Sequence, residues 1–225
     1  MALATVRNSE VVSDSTNVMA LECARQRRAR GARRGAPPVR LCASHRLLRG
    51  QSVDDPNLRA HFRLFALCTA GRDRGGWAFE AEALREQIGI YLRLLGRLAE
   101  IGLADVATRV AVTPLAGGPT DDVVERSVVT PLRERFPGTI VEFVPDRSDG
   151  RAYYDDLCFA GYVTTPDGRE RALIDGGFTV WTQRLLADRK ERLLISGVGS
   201  ELVCSLLAPE AAAGGERTEQ ADARA

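Results

Sequence analysis

The sequence predicts an α+β domain, an antiparallel sheet flanked by helices. Three observations carry that expectation. The stretches 60–70 and 153–177 alternate apolar and polar residues with the period of a strand. The second is broken at 166–168 by "PDG", a turn sequence, so its halves read as a hairpin. Between the two, residues 77–102 repeat apolar side chains at steps of three and four, the period of a helix.

In chain order, residues 1–36 read as a loosely ordered, arginine-rich segment. "PVRLCASHRLL" (38–48) is a strand, "GQSVDDPN" (50–57) a turn, and 60–70 a second strand with Phe62, Leu64, Ala66 and Cys68 on one face. In the helix 77–102, Glu80 and Glu82 suit the positive N-terminal end and Gly102 is a fitting stop. Residues 105–115 form a strand, and 120–136 a helix that Pro131 should kink or break. A short strand at 139–144 precedes the hairpin of 153–165 and 169–177. A short helix (178–189), a strand (192–197) and a last helix (200–207) follow, with the helices on one face of the sheet. The expected organisation is one core domain, 37–208, with a small, polar, disordered tail at 209–225.

Composition excludes several functions. Hydrophobic residues are 44% and charged residues 27% of 225, and the net charge is +1. Bulk charge therefore draws neither nucleic acid nor an anionic membrane, and neither is expected as a partner. The arginine cluster at 24–35 reads either as a solvated helix end in a chain whose only lysine is Lys190, or as a contact to RNA or phosphate. Cys23, Cys42, Cys68, Cys158 and Cys204 are odd in number, without metal-ligand spacing, and no apolar signal follows Met1. Reduced thiols in a cytoplasm fit best. His45 and His61 are too few for a histidine metal site. No apolar run is long enough to span a bilayer. Phosphate-loop, dinucleotide-binding and nucleophile-elbow motifs are absent.

Asp155 and Asp156 are neighbours in a strand and point to opposite faces, so they cannot share a substrate. For the same reason one of Tyr153 and Tyr154 faces the inner surface, as a packed ring or as part of a pocket. Gly176 and Gly177 are either a strand-to-helix turn or a place where a ligand approaches backbone.

The order of these pieces resembles the catalytic core of class II histidyl-tRNA synthetases. It is more closely similar to their non-catalytic relative, the regulatory subunit of ATP phosphoribosyltransferase. The similarity runs from about Ser13 to Leu207. "SDSTNVMALECAR" resembles the acid-x-Thr loop that precedes a helix, which implies that Asp14 and Thr16 hold a ligand's amino group. "VRLCASHRLLRG" and "AHFRLFALCTAG" stand in the place of motif 2, with Arg46 as its arginine. "YYDDLCFAGY" resembles the Tyr-Tyr-Thr-Gly-x-x-Phe-Glu strand, and "DGGFTVWTQRLL" stands at Gly-Gly-Arg-Tyr-Asp. "LLISGVGSELVCSLL" takes the place of motif 3. The resemblance thus implies a ligand site of Asp14, Thr16, Arg46, Tyr153, Tyr154, Gly176 and Gly177.

The departures remove the reaction. Positions of the family's polar groups match Leu48, Leu64 and Cys68, and positions of its arginines match Asp149, Phe178 and Leu202. The dimer element, motif 1, would lie upstream of Met1, and no tRNA-binding domain is expected after Leu207. Adenylation stabilises a phosphate in flight, and each lost donor costs about 3 kcal/mol. The expectation is a protein with no catalytic residues, metal or cofactor. It would be a regulatory or small-molecule-binding subunit with an amino-acid-like ligand and a catalytic partner such as a phosphoribosyltransferase. The replaced polar groups make the pocket too apolar for histidine itself, whose imidazole nitrogens would go unpaired. The alternative is a diverged synthetase-like enzyme that activates or transfers an amino acid.

Overall fold

The computed structural model describes residues 3–4, 10–31, 36–48, 60–147 and 153–208. The turn at 50–57 and the tail from 209 lie outside them. A short pair, β1 (Leu3–Ala4) and β2 (Glu10–Val11), precedes helix α1 (Ser15–Arg30). The main sheet has seven strands. They are β3 (Val39–Leu48), β4 (His61–Arg72), β5 (Thr108–Pro114), β6 (Ile140–Phe143), β7 (Asp155–Thr164), β8 (Glu170–Thr179) and β9 (Glu191–Gly199), in the spatial order β3-β4-β9-β8-β7-β5-β6. Every pairing is antiparallel except β5 with β6. That parallel pair needs a crossover, which residues 121–135 supply.

The crossover starts as helix α3 (Asp121–Val124), widens into a π-helical turn (Glu125–Val129) and ends as α4 (Thr130–Arg135). Pro131 has no N–H to give to the carbonyl of Ser127, four residues back. Arg85 of helix α2 (Ala78–Leu95) donates to that carbonyl instead, at 2.5 Å. The expected break at Pro131 is therefore a local widening, sealed from outside. The helix expected over 77–102 stops earlier, at Gly96. A 3-10 turn (Leu98–Ile101) then carries the chain to Gly102, which closes it with φ +80°.

The sheet has two covered faces, not one. On the first, Leu84, Ile88, Tyr91 and Leu95 of α2 bury against Leu67, Val112, Phe159 and Leu194, joined by Val203 and Leu207 of helix α6 (Ser200–Leu207). Each large apolar side chain so buried contributes about 1.5–3 kcal/mol. The polar groups there satisfy one another. Gln87 donates to Thr69 at 2.9 Å and accepts from Ser196 at 2.6 Å, and Tyr91 shares a hydrogen bond with Ser196 at 2.9 Å.

On the second face, Met19, Ala20 and Cys23 of α1 cover Val39, Ala66, Cys68, Leu193 and Ile195. Residues 15–30 are thus an ordered part of the core, correcting the loosely ordered 1–36 and the domain start at 37. The solvated reading of the arginine cluster fails in particular at Arg27. Its guanidinium is fully buried and grips Glu191 at 2.9 and 2.8 Å. Arg28 donates to the carbonyl of Leu185, at the end of helix α5 (Trp181–Leu186), and Arg25 pairs with Glu22.

Candidate functional site

The cavity of interest lies where α1 begins, over the same face of β4, β9 and β8. Asp14 caps α1: one carboxylate oxygen accepts from the Thr16 N–H at 2.9 Å and from the Thr16 hydroxyl at 2.8 Å. This fixes the acid-x-Thr loop as a rigid rim. Beside it, Gly197 and Gly199 stand two apart on β9, so beyond Ile195 that face of the strand carries no side chains. Leu48 and Leu64 add an apolar side wall. A bulge in β8 leaves Leu173 without a partner between the Ala172–Tyr162 and Ile174–Gly161 pairs. Alternation is broken there: Leu173 and Ile174 both bury on the α2 side, and Asp175 reaches the cavity wall. The cavity is open to solvent and holds about 810 Å³.

Tyr154 forms the far side. A second irregularity, in β7 between Asp155 and Cys158, holds Asp156 at φ +59°. Tyr154 is buried and Tyr153 exposed, but both precede β7, so strand alternation does not part them and both line the cavity. The Tyr154 hydroxyl donates to Asp175 at 2.7 Å. Burial, and then the Asp175 carboxylate, push the tyrosine pKa far up, so Tyr154 stays a neutral donor. Tyr153 stacks edge-on against Tyr154 and Trp181, with ring centres 4.9 and 5.9 Å away.

Asp175 also binds Arg147, at 2.5 Å. Partial burial works against the charge of Arg147, but the hydrogen bond and charge of Asp175 outweigh it and raise the guanidinium pKa. The Asp175 side chain is 50% exposed and Arg147 only 12%. Asp175 lines the cavity, and Arg147 is the more buried partner.

The structure brings Asp14, Thr16, Tyr153 and Tyr154 into one wall. It does not bring Arg46 there; that side chain pairs with Glu201 of α6 at 2.6 Å. Nor do the glycines leave room for a ligand. A Cβ on Gly177 would come within 2.5 Å of the Tyr154 ring, and one on Gly176 within 2.6 Å of Phe159. Their missing side chains are replaced by the protein's own rings. Of the substituted family positions, Leu48 and Leu64 line the cavity, while Cys68 and Phe178 are buried. Burial also pushes the Cys23 thiol up to about 12 and raises Cys68, so neither is a nucleophile.

Asp175 and Arg147 are additions that sequence reasoning missed. An acid at the end of the apolar run "ALID" was the available signal for the first. Arg147 lies two places before Asp149, where the family's arginine was expected, and had no local signal. Among the described residues, no cluster of three or more His, Cys, Asp or Glu is arranged to hold a metal. Among them, too, no helix is long and apolar enough to cross a membrane.

No protein-family profile matches the chain, and no curated protein does. Solved structures do. Apo histidyl-tRNA synthetase from S. aureus superposes with a TM-score of 0.63 at 13% identity, over 92% of this chain and 55% of that one. An ATP phosphoribosyltransferase regulatory subunit/histidyl-tRNA synthetase from Bacillus halodurans C gives 0.56 at 15%, over 92% and 67%. The RNA binding domain of threonyl-tRNA synthetase from Cryptosporidium parvum Iowa II gives 0.54 at 11%, over 88% and 49%. The chain thus spans about half to two thirds of the length of these proteins. At such identities the likeness establishes the architecture: an α+β domain of the class II aminoacyl-tRNA synthetase-like fold.

Proposed function

We propose that this chain is a non-catalytic paralogue of histidyl-tRNA synthetase. It binds a small amino-acid-like molecule and acts as a regulatory subunit for a catalytic partner of the phosphoribosyltransferase kind. One observation carries the reading. The described cavity walls contain Asp14 and Asp175 but no Arg, Lys or His. Each phosphate-binding donor that a transferase site lacks costs about 3 kcal/mol of transition-state stabilisation. A triphosphate placed here would face two carboxylates. The same two acids, with the neutral Tyr154 hydroxyl between rim and floor, suit an ammonium group. None of its five cysteines is in a disulfide, which fits a reducing cytoplasm.

Two measurements test this. Amino-acid-dependent ATP–pyrophosphate exchange should be flat for all amino acids. Addition of the chain to an ATP phosphoribosyltransferase should change that enzyme's rate, and the two should co-purify. Exchange above background would favour the second reading, a diverged enzyme that activates an amino acid, for which the retained Asp14, Thr16 and Tyr154 speak.

A further inference from the structure

We propose that the outer surface of helices α1 and α5 is the docking face for the catalytic partner, and that it receives an apolar segment flanked by acids. The proposal rests on the binding-subunit reading above and gives that subunit its contact surface. Among the described residues, the large apolar side chains left exposed are Val18, Leu21, Ile101, Ile140, Tyr153 and Leu185. Four of these six gather here. Val18 and Leu21 are 52% and 59% exposed on α1, three residues apart and so on one side of it. Leu21 lies two turns before Arg28, whose guanidinium donates to the Leu185 carbonyl at 3.0 Å. The side of α1 that carries Leu21 therefore adjoins α5. Leu185 stands four residues after Trp181, and the exposed Tyr153 ring meets Trp181 edge-on, with centres 5.9 Å apart. The patch thus runs from α1 across α5 to the cavity wall at Tyr153. Single exposed leucines are ordinary, but a gathered group with a charged rim marks a contact surface.

Charge chooses the occupant. Arg25, Arg28 and Arg184 are exposed beside the patch. A second copy laid on this face would bring two basic rims together. Residues 209–225 carry acids but no large apolar side chain to fill the patch. A bilayer would admit only side-chain tips, because α1 lies flat on the sheet, capped by Asp14 at one end and tied by Arg27 to Glu191 at the other. Helices that bind membranes sink a whole apolar face instead. A protein segment with two or three apolar anchors between Asp or Glu residues meets both the apolar centre and the basic rim. Helix α1 also forms the cavity rim through Asp14 and Thr16, so a partner held here rests on the same element as the ligand.

The experiment is calorimetric titration of the full chain into ATP phosphoribosyltransferase. Leu21→Asp and Val18→Asp should each weaken binding at least tenfold. Arg25→Glu should weaken it about threefold or more and reduce its dependence on salt. Ile101→Asp and Ile140→Asp, exposed elsewhere, should stay within about twofold of the parent. Thermal melting establishes that each variant is folded, and Leu21→Ser carries the same test at a smaller effect should Leu21→Asp melt early. Equal binding by the parent and the α1 variants would overturn the assigned surface and leave the binding-subunit reading standing. No binding by the parent would overturn both. Sedimentation of the chain alone and with vesicles of phosphatidylcholine and phosphatidylglycerol completes the test. Self-association or vesicle binding that Leu21→Asp abolishes would give the face to a second copy or to a bilayer, and would overturn the proposal.

Discussion

Where α2 crosses the sheet, Leu84, Ile88 and Tyr91 are buried against the strands, and the buried Gln87, Thr69 and Ser196 satisfy one another. Where α1 crosses the other face, Met19 and Cys23 cover only part of it, and the space beyond the helix start is the cavity. The first face is held mainly by apolar area and neutral hydrogen bonds, with one ion pair, Arg192 of β9 to the buried Glu80 of α2 at 2.7 Å. The second is tied by ions, with Arg27 on Glu191 at one end and Arg147 on Asp175 at the other. A closed face stabilises the fold; an open face needs discrete anchors to keep its helix in place while leaving room for a ligand.

The largest effect expected from breaking this contrast is at Arg27. Arg27→Met should cost about 3–5 kcal/mol, because Glu191 is left fully buried with only Arg72, 3.9 Å away, to balance its charge. The double variant Arg27→Met, Glu191→Leu should recover most of that loss. Denaturant titration checks both. A single variant as stable as the parent would show that α1 is not held by this pair.

Next comes the contrast between two leucines. Leu84→Ala, on the closed face, should cost about 2–5 kcal/mol and leave ligand affinity unchanged. Leu64→Ala, half-buried in the cavity wall, should cost under ~1 kcal/mol and alter affinity instead. Melting curves and titrations on the same two proteins decide whether stability and binding are divided between the faces as described.

The smallest effect is at Asp156. Partial burial raises its carboxyl pKa above the ordinary aspartate value, and its backbone is left-handed. The folded protein thus binds this proton more tightly than the unfolded chain. Its stabilising protonated form is fully present below the unfolded pKa and is lost as pH rises through the folded one. Asp156→Asn keeps a residue that tolerates the left-handed backbone and removes the buried charge. It should melt slightly higher than the parent at neutral pH, with the gap closing as the pH is lowered towards the ordinary aspartate pKa. Paired melts across that range read the sign.

Much of the closed face was legible in the sequence because α2 follows one period and buries one stripe. The hairpin of β7 and β8 was legible too, since Pro166, Asp167 and Gly168 mark its turn. Helix α1 was not. It buries Met19, Ala20 and Cys23 but exposes Val18 and Leu21, so its apolar residues mark no single stripe. Arg27 looked like its solvated neighbours, and only the arrival of β9 makes it a core residue. In the site, the acid-x-Thr rim and the tyrosine pair could be read locally. The Arg147–Asp175 pair could not, because it joins residues 28 apart through a bulged strand register.

The tie between Arg27 and Glu191 spans 164 positions of chain. At the ~5–20 residues per second of protein synthesis, α1 emerges on the order of ten seconds before its anchor exists. A hairpin of β3 and β4 can form in that interval, but β9 must still slot in beside β4. Until then Met19, Cys23 and Ala66 are only half covered, and this unfinished surface is the one a chaperone would meet first. Helix α1 is therefore made long before it is locked, and slow, non-local assembly is the kinetic cost of tethering it so far along the chain.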